Sequence, residues 1–114
     1  MTVGKWQGGM RCAQVALLLL PLMAQADMTP ARQQQLLHLL RQDCGSCHGL
    51  TLQGGLGPAL TPQALRDKSP AMLRSVILYG RPGTPMPPWQ PFMNDVEAKW
   101  LVDQLQTGVI NAQQ

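Results

Sequence analysis

Apolar positions recur with helical spacing in three stretches of this chain, and no stretch alternates cleanly between apolar and polar. In the first, Gln33, Leu36, Leu37 and Leu40 share one face. In the second, Met72, Leu73, Val76 and Ile77 do. In the last, Ala98, Leu101, Val102 and Leu105 form the stripe, with Trp100 beside it. Each stretch opens on a residue suited to capping. Thr29-Pro30 and Ser69-Pro70 put a hydroxyl ahead of a proline fit for the first helical position, and Thr61-Pro62 predicts a further short turn to about Arg66. Asn94 with Glu97 makes a capping-box pattern. The first helix is expected to run toward Asp43, the second to stop at Gly80 and the last at Gly108. Two loops rich in glycine and proline lie between, Gly54-Gly55-Leu56-Gly57-Pro58 and Gly80 to Pro88. The pattern predicts an all-α domain with long loops wrapped around something, and no sheet.

The N-terminal stretch belongs to a different class. Lys5 and Arg11 precede an apolar run from Val15 to Met23, and Ala24-Gln25-Ala26 is a small-x-small site. This is the layout of a secretory leader. The run is shorter than the roughly 20 residues of a membrane span. Residues 1–26 are therefore expected to be a signal peptide and 27–114 the mature domain, exported to the periplasm and without stable membrane insertion once cleaved.

Cleavage changes the charge balance. The whole chain has nine Lys+Arg against six Asp+Glu. Without Lys5 and Arg11 the balance is close to neutral, so no basic surface points to nucleic acid. The mature part also loses Cys12, which leaves Cys44 and Cys47. It is a small domain with few aromatic residues, so its own core is modest. A large apolar cofactor would complete it.

Those two cysteines lie in Cys44-Gly45-Ser46-Cys47-His48, the attachment motif of c-type haem. Two thiols three positions apart reach the two vinyl groups on one porphyrin edge. The adjoining histidine is then brought beneath the iron. A zinc site would need four ligands, and no second cysteine pair exists to supply them. A thioredoxin-like dithiol would follow a strand, and none is predicted before Cys44.

The second axial ligand should be a methionine or a histidine. Met86 sits between Pro85 and Pro87-Pro88, in a loop poorly suited to ordinary core packing, and is the first candidate. Met93, just before the last helix, is the rival. Met72 lies on a helix stripe and reads as core, and His38 reads as a surface residue. Arg74 and Arg81 are candidates for pairing with haem propionates. Leu50, Leu52 and Leu56 are candidates for the haem pocket or its rim.

Taken together, Cys44, Cys47, His48, Gly57-Pro58-Ala59-Leu60, Gly80 and Met86-Pro87 resemble the class I monohaem cytochromes c. That resemblance implies a fold of helices around one covalently bound haem c, with the N- and C-terminal helices crossing near the haem edge. It also implies that the Pro58 carbonyl accepts a hydrogen bond from His48 Nδ1. The tracts Arg41 to Gly49 and Gly80 to Trp89 are similar, more narrowly, to NirC-like cytochromes associated with cytochrome cd1 nitrite reductase in denitrifying bacteria. The expectation is a monomeric electron carrier, not an enzyme, with iron held by His48 and Met86. Its partner would be nitrite reductase. Alternatively it would serve haem d1 maturation or another respiratory enzyme.

Overall fold

The computed structural model of the protein describes residues 1–4 and 28–110. The predicted leader falls almost wholly outside these residues. Among the described residues there are five α-helices: α1 Pro30–Leu39, α2 Gly45–His48, α3 Pro62–Leu65, α4 Pro70–Tyr79 and α5 Asp95–Thr107. Among the described residues there is no strand. No described helix is long and apolar enough to cross a membrane.

The caps act as the sequence predicts. Thr29, Thr61 and Ser69 accept from the backbone N–H groups of Arg32, Ala64 and Met72, at 3.2, 3.3 and 3.2 Å. Each satisfies a donor that the first helical turn leaves without a partner. At α5 the capping box is complete. Asn94 Oδ1 accepts from Glu97 N at 3.0 Å, and Glu97 Oε2 accepts from Asn94 N at 2.9 Å. Gly108, left-handed at φ 73°, ends α5.

The core joins the first helix to the last. Leu36, Leu37 and Leu40 pack in one cluster with Ala98, Leu101 and Leu105 of α5. Each fully buried leucine contributes about 1.5–3 kcal/mol of transfer free energy. Arg32 spans the same junction. Its Nε and one terminal nitrogen donate to the two carboxylate oxygens of Glu97 at 2.6 and 3.1 Å, and a terminal nitrogen also donates to the Phe92 carbonyl at 2.7 Å.

Two expectations need correction. The helix predicted to run toward Asp43 passes into a π-turn, Leu40–Cys44, and continues as α2 to His48. On α4 the buried side chain is Leu78, while Met72 is exposed. Leu73 and Ile77 do pack on the core. The run from Val76 to Tyr79 offers an apolar side chain in nearly every direction, so the pattern did not determine which side meets α5. Arg74 helps to fix that side, because its Nε lies 3.1 Å from Asp95 Oδ1 at the start of α5.

Candidate haem site

The attachment motif occupies the end of the first helical rod and the turn after it. Cys44 is largely covered and Cys47 is exposed, and both are free thiols. Burial, with the Asp43 carboxylate adding to it, pushes the Cys44 thiol up to about 11. Cys47 Sγ lies 3.9 Å from the Ser46 hydroxyl, which also donates to the Asp43 carbonyl at 2.6 Å.

His48 is held from behind. Its Nδ1 lies 2.7 Å from the Pro58 carbonyl oxygen. A carbonyl only accepts, so the proton is on Nδ1 and the lone pair of the neutral ring is on Nε2. The loop from Gly49 to Pro58 is shaped to bring that carbonyl in. Gly54 N donates to the His48 carbonyl and Gly57 N to the Cys47 carbonyl, both at 2.8 Å. Gly57 lies flat against the imidazole: a Cβ there would stand 2.8 Å from both Nδ1 and Cε1. Leu52, at φ 59°, turns this loop inward and is 1% exposed, whereas Leu56 is 95% exposed and Leu50 also faces outward. The three leucines grouped by sequence therefore divide into one core residue and two surface residues.

The methionine loop is pinned at both ends. Gly80 N donates to the Val76 carbonyl at 2.9 Å. Trp89 N and Gln90 N donate to the Ile77 and Leu78 carbonyls at 2.9 and 3.1 Å. Between them Thr84 organises the turn. Its hydroxyl donates to the Arg81 carbonyl at 2.7 Å and accepts from Met86 N at 3.3 Å. Arg81 N donates to the Met86 carbonyl at 3.2 Å. The role of Thr84 is not evident from the sequence pattern alone. The available signal was a short hydroxyl side chain in a Gly-Thr-Pro turn, where such groups bond to nearby backbone.

The remaining candidates separate by burial. Met86 is half-buried and lies outside the core cluster, while Met93 is 4% exposed and packs within it. His38 is exposed. Arg74 already has Asp95 as a partner, while Arg81 is exposed. The donor set of an Nδ1-protonated imidazole, two free thiols beside it and a loop thioether fits haem c. Among the described residues no cluster of His, Cys, Asp and Glu offers a rival metal site.

Comparison with known proteins agrees with this chemistry. The profile of the family described as "Cytochrome C oxidase, cbb3-type, subunit III" matches residues 31–104. The chain is 59% identical to cytochrome c55X of Pseudomonas aeruginosa, over 79% of this chain and 77% of that one. It is 49% identical to cytochrome c55X of Paracoccus denitrificans, over 82% of this chain and 93% of that one. It is also 43% identical to a dihydro-heme d1 dehydrogenase of Pseudomonas aeruginosa, over 82% of this chain but only 18% of the relative. Among solved structures, a c-type cytochrome NirC superposes with a TM-score of 0.71 at 60% identity, over 72% of this chain and 96% of that one. The class I cytochrome c fold and its covalent haem c with iron follow from these relationships, and Cys44 and Cys47 carry the spacing of the attachment motif. The chain belongs to the small monohaem c-type cytochromes of the NirC kind.

Proposed function

We propose that this protein is an exported electron carrier of the denitrification system, delivering electrons to a nitrite reductase. Residues 1–26 act as the leader, and the mature domain 27–114 works in the periplasm as a monomer. In this reading Cys44 and Cys47 would hold the haem covalently, and His48 and Met86 would bind its iron. When bound, haem c supplies one-electron exchange between ferrous and ferric iron. The chain's own residues do the rest. Pro58 keeps the His48 proton on Nδ1, which leaves Nε2 for the iron and raises the basicity of the ring. The Thr84-braced loop presents Met86, and a soft thioether raises the potential.

One observation carries the reading. The imidazole is fixed by one loop, and a second loop, pinned at both ends, holds a methionine outside the core, so two side chains would be available to bind the iron. An iron held by both side chains would supply electron transfer. Docking with the partner would be brief, as in other electron-transfer encounters. Mixing the reduced protein with cytochrome cd1 nitrite reductase should oxidise it rapidly. If the haem stayed reduced through many turnovers of the reductase, the assignment of partner would fall.

A second reading has its own support. A domain of this kind makes up part of a dihydro-heme d1 dehydrogenase. The same chain could therefore serve haem d1 maturation by exchanging electrons with that enzyme. Reduction of the ferric protein by the dehydrogenase and its substrate, with no oxidation by nitrite reductase, would select this reading. Cleavage after Ala26 is checked by the mass of the exported protein.

A further inference from the structure

In an uninterrupted α-helix, residues advance by about 100° each. Continued from Leu36, Leu37 and Leu40, that phase puts Cys44 and Cys47 within the core stripe. It puts Gly45 on the far side, about 180° from Leu36. The structure keeps Cys44 packed against the core but reverses the other two positions. Gly45 is buried, with Leu50 Cα and Leu40 O each 3.6 Å from where its Cβ would be, and Cys47 is exposed. Between stripe and motif lies the π-turn Leu40–Cys44, in which Gly45 N donates to the Leu40 carbonyl five residues back. A single π-turn is an α-helix carrying one extra residue, and such turns are frequent at functional sites. One extra residue turns everything after it back by about 100°. That shift carries Gly45 inward and Cys47 outward, as observed.

We propose that the π-turn is a positioning element: a one-residue phase slip that turns Cys47 off the core stripe while Cys44 stays packed against it, so that Cys47 faces haem instead of Leu101 and its neighbours. The proposal rests on the reading that haem attaches at Cys44 and Cys47. The stripe anchors α1 to α5, and the slip lets the same rod serve the core at one end and the cofactor at the other. Ser46 steadies the turn through its bond to the Asp43 carbonyl.

A phase slip of one residue implies an asymmetry between deletion and insertion. Removing Gln42 takes out the extra residue and leaves a plain α-helix with the motif facing as before. Inserting an alanine after Gln42 turns the motif by a further step. Both chains are exported with their own leader, and covalent haem per chain is read on a haem-stained denaturing gel. The far-red sulfur-to-iron absorption reports whether the two axial side chains still meet the iron. The chain lacking Gln42 should retain haem and the far-red band, while the insertion should lose both. Loss in both, or retention by the insertion, would overturn the proposal. A second pair guards against simple misfolding of the deletion. Gly45→Ala makes only ordinary contacts and should keep haem, whereas Gly45→Leu has no room beneath Leu50 and should lose it. Equal haem in these two variants would likewise overturn the proposal. Absence of covalent haem from the native chain would instead refute the attachment reading.

Discussion

His48 and Pro58 are joined by a 2.7 Å hydrogen bond from the imidazole Nδ1 to the backbone carbonyl, and Gly57 packs flat on the same ring. The bond fixes both tautomer and ring orientation. The glycine contact leaves no slack between loop and ring.

Gly57→Ala tests this contact directly. Gly57 is not among the glycines with positive φ, so alanine fits the backbone there. The new methyl carbon would stand 2.8 Å from Nδ1 and Cε1, so the ring or the loop must shift. Overpacking of this kind typically costs about 1–3 kcal/mol. We expect a lower melting temperature and a shifted reduction potential, with haem still covalently attached. An unchanged potential would mean that the ring position does not depend on this loop.

Arg32 and Glu97 provide a pH-dependent clamp between α1 and α5. The Arg32 hydrogen bond holds the Glu97 carboxyl below the usual carboxylate range, against the opposing effect of burial. The same pair raises Arg32. A carboxyl whose folded pKa is depressed binds protons more readily in the unfolded chain. Its stabilisation is therefore complete above the unfolded value, about 4.3, and fades as pH falls through the folded value. Glu97→Gln should lower stability at neutral pH by about 1–3 kcal/mol. The gap between native and variant chains should close under acid. Melting curves at pH 7 and pH 3 check both statements, and a gap that widened under acid would contradict them.

Thr84 should matter more than its exposed position suggests. Its hydroxyl bonds on one side to the Arg81 carbonyl and on the other to Met86 N. Thr84→Val keeps the shape and removes both bonds, a loss of about 1–2 kcal/mol of local loop stability. Global melting should move little. The far-red band should weaken and carbon monoxide should bind more readily, because the loop opens more often. Carbon monoxide titration of the reduced protein measures this.

Much of this structure is legible in the sequence because local chemistry sets it. Thr29, Thr61, Ser69 and Asn94 cap the helices they were expected to cap, since an oxygen side chain before a helix start needs no tertiary context. The His48–Pro58 bond, implied by resemblance, is present. What was not legible depends on longer range. The π-turn has no propensity signature, because one extra residue changes phase and not composition. Leu78 is buried in place of Met72 because packing on α5 selected among apolar neighbours. Leu52 divides from Leu50 and Leu56 through a left-handed residue that no rule assigns to leucine.

Met86 and Met93 can be separated by substitution. Both precede α5 and both carry a soft sulfur, but their surroundings differ. Met93 is buried in the same cluster as Leu36, Leu78 and Leu101, where a thioether serves as ordinary filling. Met86 is outside that cluster, in a loop whose prolines cannot join helix or sheet and whose backbone is held by Thr84 and Arg81. Gly80, at φ 71°, lets the chain fold back so closely that a Cβ there would meet the Met86 carbonyl at 2.7 Å. That fold-back fixes where the Met86 backbone lies against the end of α4. Met86→Ala should abolish the far-red absorption, lower the potential and open the iron to carbon monoxide, with little loss of global stability. Met93→Leu conserves volume and should cost less than about 1.5 kcal/mol while leaving absorption and potential in place. The reverse pattern would make Met93 the ligand. If neither change altered the spectrum, His38 would become the candidate and the protein a low-potential bis-histidine cytochrome.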